Sequence, residues 1–452
     1  MKRAMAATTT LLVSGLGAVH AGPASASVAL PTAVTRTAAG NYLPAAPTRL
    51  VDTRIGQGAP IGSVDTGESV TVRAAGVAGI PATGVRAIVV NLTAVKARSR
   101  GWFTAFPSGT SLPATSTLNF RAGWTGSVTA TVPVGADGTI IVRAGAGGAD
   151  LLVDVVGWYA GTGSTQTGGT LLSPQDPYRL DDTRYNKGAL SSGSTRVEEF
   201  GFYDSAGSRL KAVVANITAV AGSTSSGYLT TWSGTGTRPA TSTLQYARNE
   251  VSPNTTNVPV TYRGVDALGN SRYSFGITAI GAGSVDVVVD IAGFYTTAAD
   301  GVGSVFVPVT PTRLVDSRFG LGTTKAARGT NSTTNLLVPG HLVNTRTQAF
   351  VGNLTGTRAT TGTHLTMWSG TAPTDSSTTN VAPNRERANG TVVVTPRNDD
   401  NTRLRYSVYN RYASCDFIVD MTGRFDTSPD QPAGAFSSKR IVSHKSYPMP
   451  TR

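Results

Sequence analysis

Cys415 is the one cysteine in 452 residues. No intrachain disulfide can form, so stability must come from packed cores, and Cys415 reads as a small buried hydrophobe beside a strand. Histidine is nearly as scarce, at His20, His341, His364 and His444. No His-x-x-x-His, Cys-x-x-Cys, Gly-x-Ser-x-Gly or phosphate-cradling glycine loop occurs, which removes the zinc-peptidase, dithiol, hydrolase-elbow and P-loop classes. No cofactor and no metal is expected. Segments with a 3.6-residue apolar period are missing, which argues against a helical bundle. No internal run is apolar enough to span a bilayer, so no transmembrane anchor is expected.

What the chain does have is glycine, at 52 residues, and short runs of Val, Ile, Thr and aromatics punctuated by Gly, Ser, Asn and Pro. The runs from Arg86 to Val95 and from Lys211 to Val220 are examples. This is the pattern of antiparallel β-sheet with frequent turns. One octapeptide pattern, Pro-x-Arg-Leu-x-Asp-Thr/Ser-Arg, occurs three times: Pro47–Arg54, Pro177–Arg184 and Pro311–Arg318. Its spacing, about 130 residues, is the size of a whole domain. The expected fold is therefore all-β, three tandem antiparallel β-sandwich domains of jelly-roll or immunoglobulin-like type. One shared barrel is disfavoured, because each unit is far longer than a third of a barrel requires.

The N-terminus carries Lys2 and Arg3, a short apolar stretch and Ala24-Ser25-Ala26, the order of a secretory signal. The expected organisation is a signal over 1–26, a flexible leader over 27–40, and modules over 41–160, 171–296 and 305–425. Linkers fill 161–170 and 297–304, and a basic flexible tail runs over 426–452. Each module is expected to fold on its own. The protein is expected to be secreted, or held at the cell wall without a membrane anchor.

Net charge is +13. Residues 27–165 hold ten basic and six acidic groups, 166–300 ten and eleven, and 301–426 thirteen and eight. The basic excess of the outer modules suits a cell-wall polyanion or polysaccharide as partner. Third-module arginines interleave with Tyr406, Tyr409 and Tyr412, but export argues against nucleic acid.

Four blocks recur in order. Arg-Leu-x-Asp-Thr/Ser-Arg opens each module. Asn-Leu/Ile-Thr follows at Asn91, Asn216 and Asn353. An aromatic strand comes next, at Trp102–Phe106, Tyr228–Trp232 and His364–Trp368. A closing strand ends each module, at Asp150–Tyr159, Asp286–Tyr295 and Asp416–Phe425. With the Pro-Ala-Thr-Ser-Thr-Leu segment at 113–118, this set resembles a β-repeat module of secreted actinobacterial proteins, a largely uncharacterised family. The resemblance implies export and association with cell-wall or polysaccharide-active proteins, and it implies no defined activity. The third module departs from it at 373–377 and at Arg424.

Asp150 and Asp154 lie four apart on a strand, as do Asp286/Asp290 and Asp416/Asp420. Such a pair is about 13 Å apart, too far to chelate one ion. A buried carboxylate needs a partner, and a guanidinium offers a planar bidentate one. Asp154, Asp290 and Asp420 are therefore expected to pair with opening-block arginines. The ties would draw on Arg49, Asp52 and Arg54; Arg179, Asp182 and Arg184; and Arg313, Asp316 and Arg318.

The three Asn-x-Thr sites are glycosylation sequons, but each sits in an apolar run and reads as a buried amide bonding nearby backbone. Trp102, Tyr228, Trp232 and Trp368 are the candidate ligand contacts, as an aromatic platform for a sugar face, with burial in a half-buried strand as the alternative. Glu250 reads as a surface residue. No catalytic residue is assigned. The leading reading is a non-enzymatic surface or matrix protein with a structural, adhesive or assembly role. Carbohydrate binding is the alternative, and a glycan hydrolase the weakest.

Overall fold

The computed structural model describes residues 39–166, 169–186, 188–203, 209–297, 303–370, 375–397, 403–427 and 441–448. The expected signal, nearly all of the expected leader, and tail residues 428–440 and 449–452 lie outside the described residues.

Each module is a two-sheet antiparallel sandwich. In the first, the inner sheet runs in the order opening strand (Tyr42–Asp52), closing strand (Gly148–Ala160), amide strand (Val85–Val95) and seam strand (Gly126–Pro133). The second module repeats this order with Thr170–Asp182, Ser284–Thr297, Leu210–Ala221 and Val251–Pro259. The third does so with Ser304–Asp316, Asp416–Thr427, Thr347–Thr357 and Arg387–Val394. The outer sheets hold the aromatic strands Gly101–Pro107, Ser226–Trp232 and Thr363–Trp368. Each sandwich encloses its own apolar core, because alternation sends one face of every strand inward. Residues such as Val90, Phe103 and Val153 fill the first, Ile217, Phe275 and Val289 the second, and Leu354, Leu365 and Val419 the third. Cys415 is buried in the third core, where burial pushes its thiol up to about 12.

The three sandwiches close a ring. Tyr42 pairs with Thr170, Leu172 pairs with Ser304, and the Phe306 amide donates to Gly40 O at 2.9 Å. Behind these junctions lies a fourth apolar cluster with residues from all three modules, including Tyr42, Tyr159, Leu172, Tyr295, Phe306 and Phe425. An isolated module would expose its share of this cluster to water, a physical objection to three self-standing domains.

The recurrent amides complete the ring. Asn91 Nδ2 donates to Ser242 O at 2.7 Å, Asn216 Nδ2 to Ser377 O at 2.6 Å, and Asn353 Nδ2 to Ser116 O at 3.1 Å. Each amide thus reaches into the loop of the next module, in the cyclic order first to second to third to first. All three are buried. Their backbone partner belongs to a neighbouring module, which the sequence does not indicate.

At two of the three interfaces a seam-strand asparagine finishes the bond network. Asn254 accepts from the Thr129 amide at 2.8 Å and donates to Asn91 Oδ1 at 3.0 Å and Thr243 O at 2.6 Å. Asn389 does the same with Thr255, Asn216 and Thr378. Strand pairing puts Val128 at the equivalent site in the first module. Valine cannot donate. Asn353 Oδ1 is buried without a hydrogen-bond partner, and a cavity of about 70 Å³ lies beside it, lined in part by Val128, Asn353 and Gly390. Reciprocal exchanges test this match. Asn254→Val should cost about 2–4 kcal/mol, because it strands several buried polar groups. Val128→Asn should be tolerated or stabilise by up to about 1 kcal/mol. Urea titrations showing equal losses for both would contradict the equivalence.

Glu250 is not an isolated surface group. It accepts from Trp124 Nε1 of the first module at 3.2 Å and from Arg387 Nη1 of the third at 3.3 Å, with Arg121 at 3.6 Å. Three modules meet at this one carboxylate.

The tail needs a similar correction. Ile441–Pro448 form a strand on the edge of Thr195–Phe202 in the second module. An open sheet edge offers unpaired backbone groups, and charge adds to the fit. His444 Nε2 lies 2.7 Å from Glu198 Oε2 and Lys445 Nζ 3.0 Å from Glu199 Oε1.

Candidate functional site

The opening and closing strands lie side by side, with Arg49 opposite Asp154, Arg179 opposite Asp290 and Arg313 opposite Asp420. Arg49 grips Asp154 with Nε at 2.7 Å and Nη2 at 3.0 Å, and its Nη1 reaches Asp52 at 3.1 Å. Arg54 then grips Asp52 at 2.8 and 2.6 Å. The second module repeats this chain. Arg179 Nε bonds Asp290 at 2.6 Å and its Nη1 Asp182 at 3.1 Å, while Arg184 holds Asp182 at 2.8 and 2.5 Å. In the third, Arg313 holds Asp420 at 2.8 and 3.1 Å and Arg318 holds Asp316 at 2.9 and 2.6 Å. There Arg313 Nη1 and Asp316 are 3.6 Å apart, beyond a hydrogen bond. Burial pushes the carboxyls of Asp154, Asp290 and Asp420 up, and their arginines oppose that. The side chain of Arg54 bonded to Asp52 holds that carboxyl below its usual range. These carboxylates are engaged in the framework.

Of the aromatic candidates, Trp232 and Trp368 are buried, at 6% and 1% exposure, and present no platform. Alternation places Trp232 on the outward face, but the indole lies against Gly276, on which Gly234 of the following turn packs, and its Nε1 donates to Thr278 Oγ1 at 3.2 Å. Trp368 packs edge-on against Tyr409. The residue after it, Ser369, is pinned by Asp176 of the second module at 2.7 Å. Tyr228 is half-buried, and Trp102 is 38% exposed.

Trp102 lines a groove of about 900 Å³ between the first and third modules. Its ring lies against Gly145, where a Cβ would collide with the indole. Arg100, Arg143, Arg313 and Arg318 also line the groove, with Asn119 and Glu386. Arg100 Nη2 meets Glu386 at 2.5 Å. Sequence reasoning missed Arg100, Arg143 and Glu386, because the groove exists only once the ring closes. The signal available was the basic excess of the two modules that form it.

A related groove of about 620 Å³ separates the second and third modules, lined by Arg179, Arg184, His364, Asp375, Tyr409 and Arg411 among others. Burial first, then Arg411 and Arg179, pushes the His364 imidazole down to about 4. The unfolded chain binds this proton near pH 6.5 and the folded chain only near 4. Stability should therefore fall as pH drops through that window, by about 1–3 kcal/mol from this group. His364→Asn should remove that component. Urea midpoints at pH 7 and 4.5 that fall equally in both proteins would contradict it.

Among the described residues, Asp181, Glu198 and His444 offer ligand atoms that all lie within 4.8 Å of one another, the one such cluster with metal-ligand types. Asp181 and Glu198 are buried, and the His444–Glu198 hydrogen bond already ties the tail strand. No described helix is long and apolar enough to cross a membrane.

No family model and no curated protein matches the chain. Among solved structures, one described as the triple jelly roll fold and turret assembly in an archaeal virus is similar over 86% of this chain and 90% of that one. Identity is 10% and the TM-score 0.16, a likeness that does not bear on function.

Proposed function

We propose that this is an exported, non-enzymatic structural protein of the bacterial surface or extracellular matrix, with an adhesive or assembly role. One observation carries the reading. The residues that recur in all three modules are used inside the fold: the aspartates by arginines, the amides by the next module's loop. What the repeat encodes is a closed, rigid scaffold. A second reading, carbohydrate binding at the cell wall, is favoured by the exposed Trp102 in its groove.

Fractionation of the source culture tests the first reading. The mature chain should begin near Ser27 and occur in the medium or with the wall. An intact Met1 on exported protein, or retention in the cytoplasm, would contradict it. Pull-down of the mature chain on isolated cell wall across a salt series tests the second.

A further inference from the structure

We infer that the groove between the first and third modules binds an anionic saccharide, a sugar ring carrying a carboxylate or phosphate. This rests on the carbohydrate-binding reading and names its ligand class and residues. A groove of about 900 Å³ is within the size range of small-molecule sites. Trp102 supplies a flat apolar face held in place by Gly145. The apolar face of a pyranose stacks on such a ring, because its axial C–H groups meet the negative π-face.

The charge comes from Arg143. Its guanidinium makes a long bond to Ser69 Oγ, 3.4 Å, and no carboxylate lies within salt-bridge distance among the described residues. A half-buried guanidinium facing a groove whose carboxylate, Glu386, is already taken by Arg100 is an anion receptor, able to take a carboxylate or phosphate in bidentate fashion. Arg313 adds Nη1 donors, since its contact to Asp316 is stretched to 3.6 Å where the equivalent arginines make 3.1 Å bonds.

The other two modules serve as built-in comparisons. Strand pairing puts Tyr228 and His364 at the position of Trp102, each opposite an amide, Gln245 and Asn380, as Trp102 is opposite Asn119. The same pairing puts Thr278 and Tyr409 at the position of Arg143. The pairing of Trp102 with Arg143 therefore has no counterpart at the same positions of the other two modules, where Tyr228 and His364 are half-buried and no cation stands at the place of Arg143. Its groove also lies between the two modules with a basic excess.

Trp102 is the one exposed tryptophan, since Trp124, Trp158, Trp232 and Trp368 are all buried. Tryptophan fluorescence of the mature chain thus reports on the groove. Iodide should quench it more strongly than caesium, and Arg143→Gln should reduce that bias. Tetragalacturonate and a teichoic acid of repeating hexose 1-phosphate units serve as the carboxylate and phosphodiester probes, with neutral galactotetraose and inorganic polyphosphate as comparisons. At least one acidic probe should protect Trp102 from iodide and bind more weakly as salt rises. Trp102→Ala and Arg143→Gln, each checked for an unchanged melt, should weaken it tenfold or more, while Tyr228→Ala should not. Binding unaffected by Trp102→Ala and Arg143→Gln would overturn the groove assignment and leave the carbohydrate reading standing. Binding by neither acidic probe, with no wall retention in the pull-down, would overturn both. Equal binding of galactotetraose would overturn the anionic class, and equal binding of polyphosphate would overturn the role of the sugar ring.

Discussion

Asp290→Ala should destabilise the protein by about 3–5 kcal/mol, the typical cost of removing one member of a buried ion pair. Asp290 is fully buried, and Arg179 bonds it through Nε at 2.6 Å. The loss is large because the arginine stays protonated and loses its main partner inside the sheet. Asp290 Oδ2 also accepts from the Ser377 amide of the third module at 3.5 Å, and Arg179 Nη2 donates to Asp375 O at 2.9 Å. The substitution therefore loosens a module and a joint together. Replacing both members by apolar side chains, Arg179→Met with Asp290→Leu, should recover much of the loss. The exposed Lys211 gives a control, with Lys211→Ala expected within about 0.5 kcal/mol of the parent. Glu250 cannot serve as that control, because it bridges three modules. Urea denaturation measures all three proteins, and a loss below about 1 kcal/mol for Asp290→Ala would show that the tie is not structural.

Tyr295→Ala should cost about as much, roughly 3–5 kcal/mol, for a different reason. Tyr295 is 1% exposed in the cluster shared by the three modules. Its ring centroid lies 4.3 Å from that of Tyr42, and its hydroxyl shares a 2.5 Å hydrogen bond with that of Tyr159. Truncation leaves a cavity on the axis, where no single module can collapse to fill it. Tyr295→Phe keeps the ring and removes the hydroxyl, so about 1 kcal/mol is expected. Burial also pushes the phenols of Tyr42, Tyr159 and Tyr295 well up from their ordinary value of 10.0. Their contribution is complete below about pH 10 and is lost as pH rises above it, because the unfolded chain releases those protons first. In a spectrophotometric titration these three should ionise only as the protein unfolds. Thermal melts of Tyr295→Ala close to those of a surface variant would remove the axial core from the account.

The all-β class and the pairing of opening with closing strands were legible, because a carboxylate in an apolar strand demands a cation and each module keeps two arginines at its start. Closure of the ring was not. Asn91 and Ser242 lie 151 residues apart, and Asn216 and Ser377 161 apart, so each amide reads locally as one that bonds near its own strand. Alternation gave Trp232 a face but could not show its packing against Gly276. The basic composition of the tail suggested a flexible arm. Only the open edge of Thr195–Phe202, with Glu198 and Glu199 on it, turns 441–448 into a strand. The groove residues Arg100 and Arg143 escaped notice for the same reason as the ring, since their site is made by two modules whose adjacency no local pattern encodes.

The central claim is that three sandwiches form one cooperative ring rather than a string of domains. Differential scanning calorimetry of the mature chain tests it most directly, beside the isolated segment 171–296. The account predicts one transition for the full chain, with calorimetric and van't Hoff enthalpies that agree, and no cooperative transition for the isolated segment. Three separable transitions, with the isolated segment melting at the temperature of one of them, would contradict it.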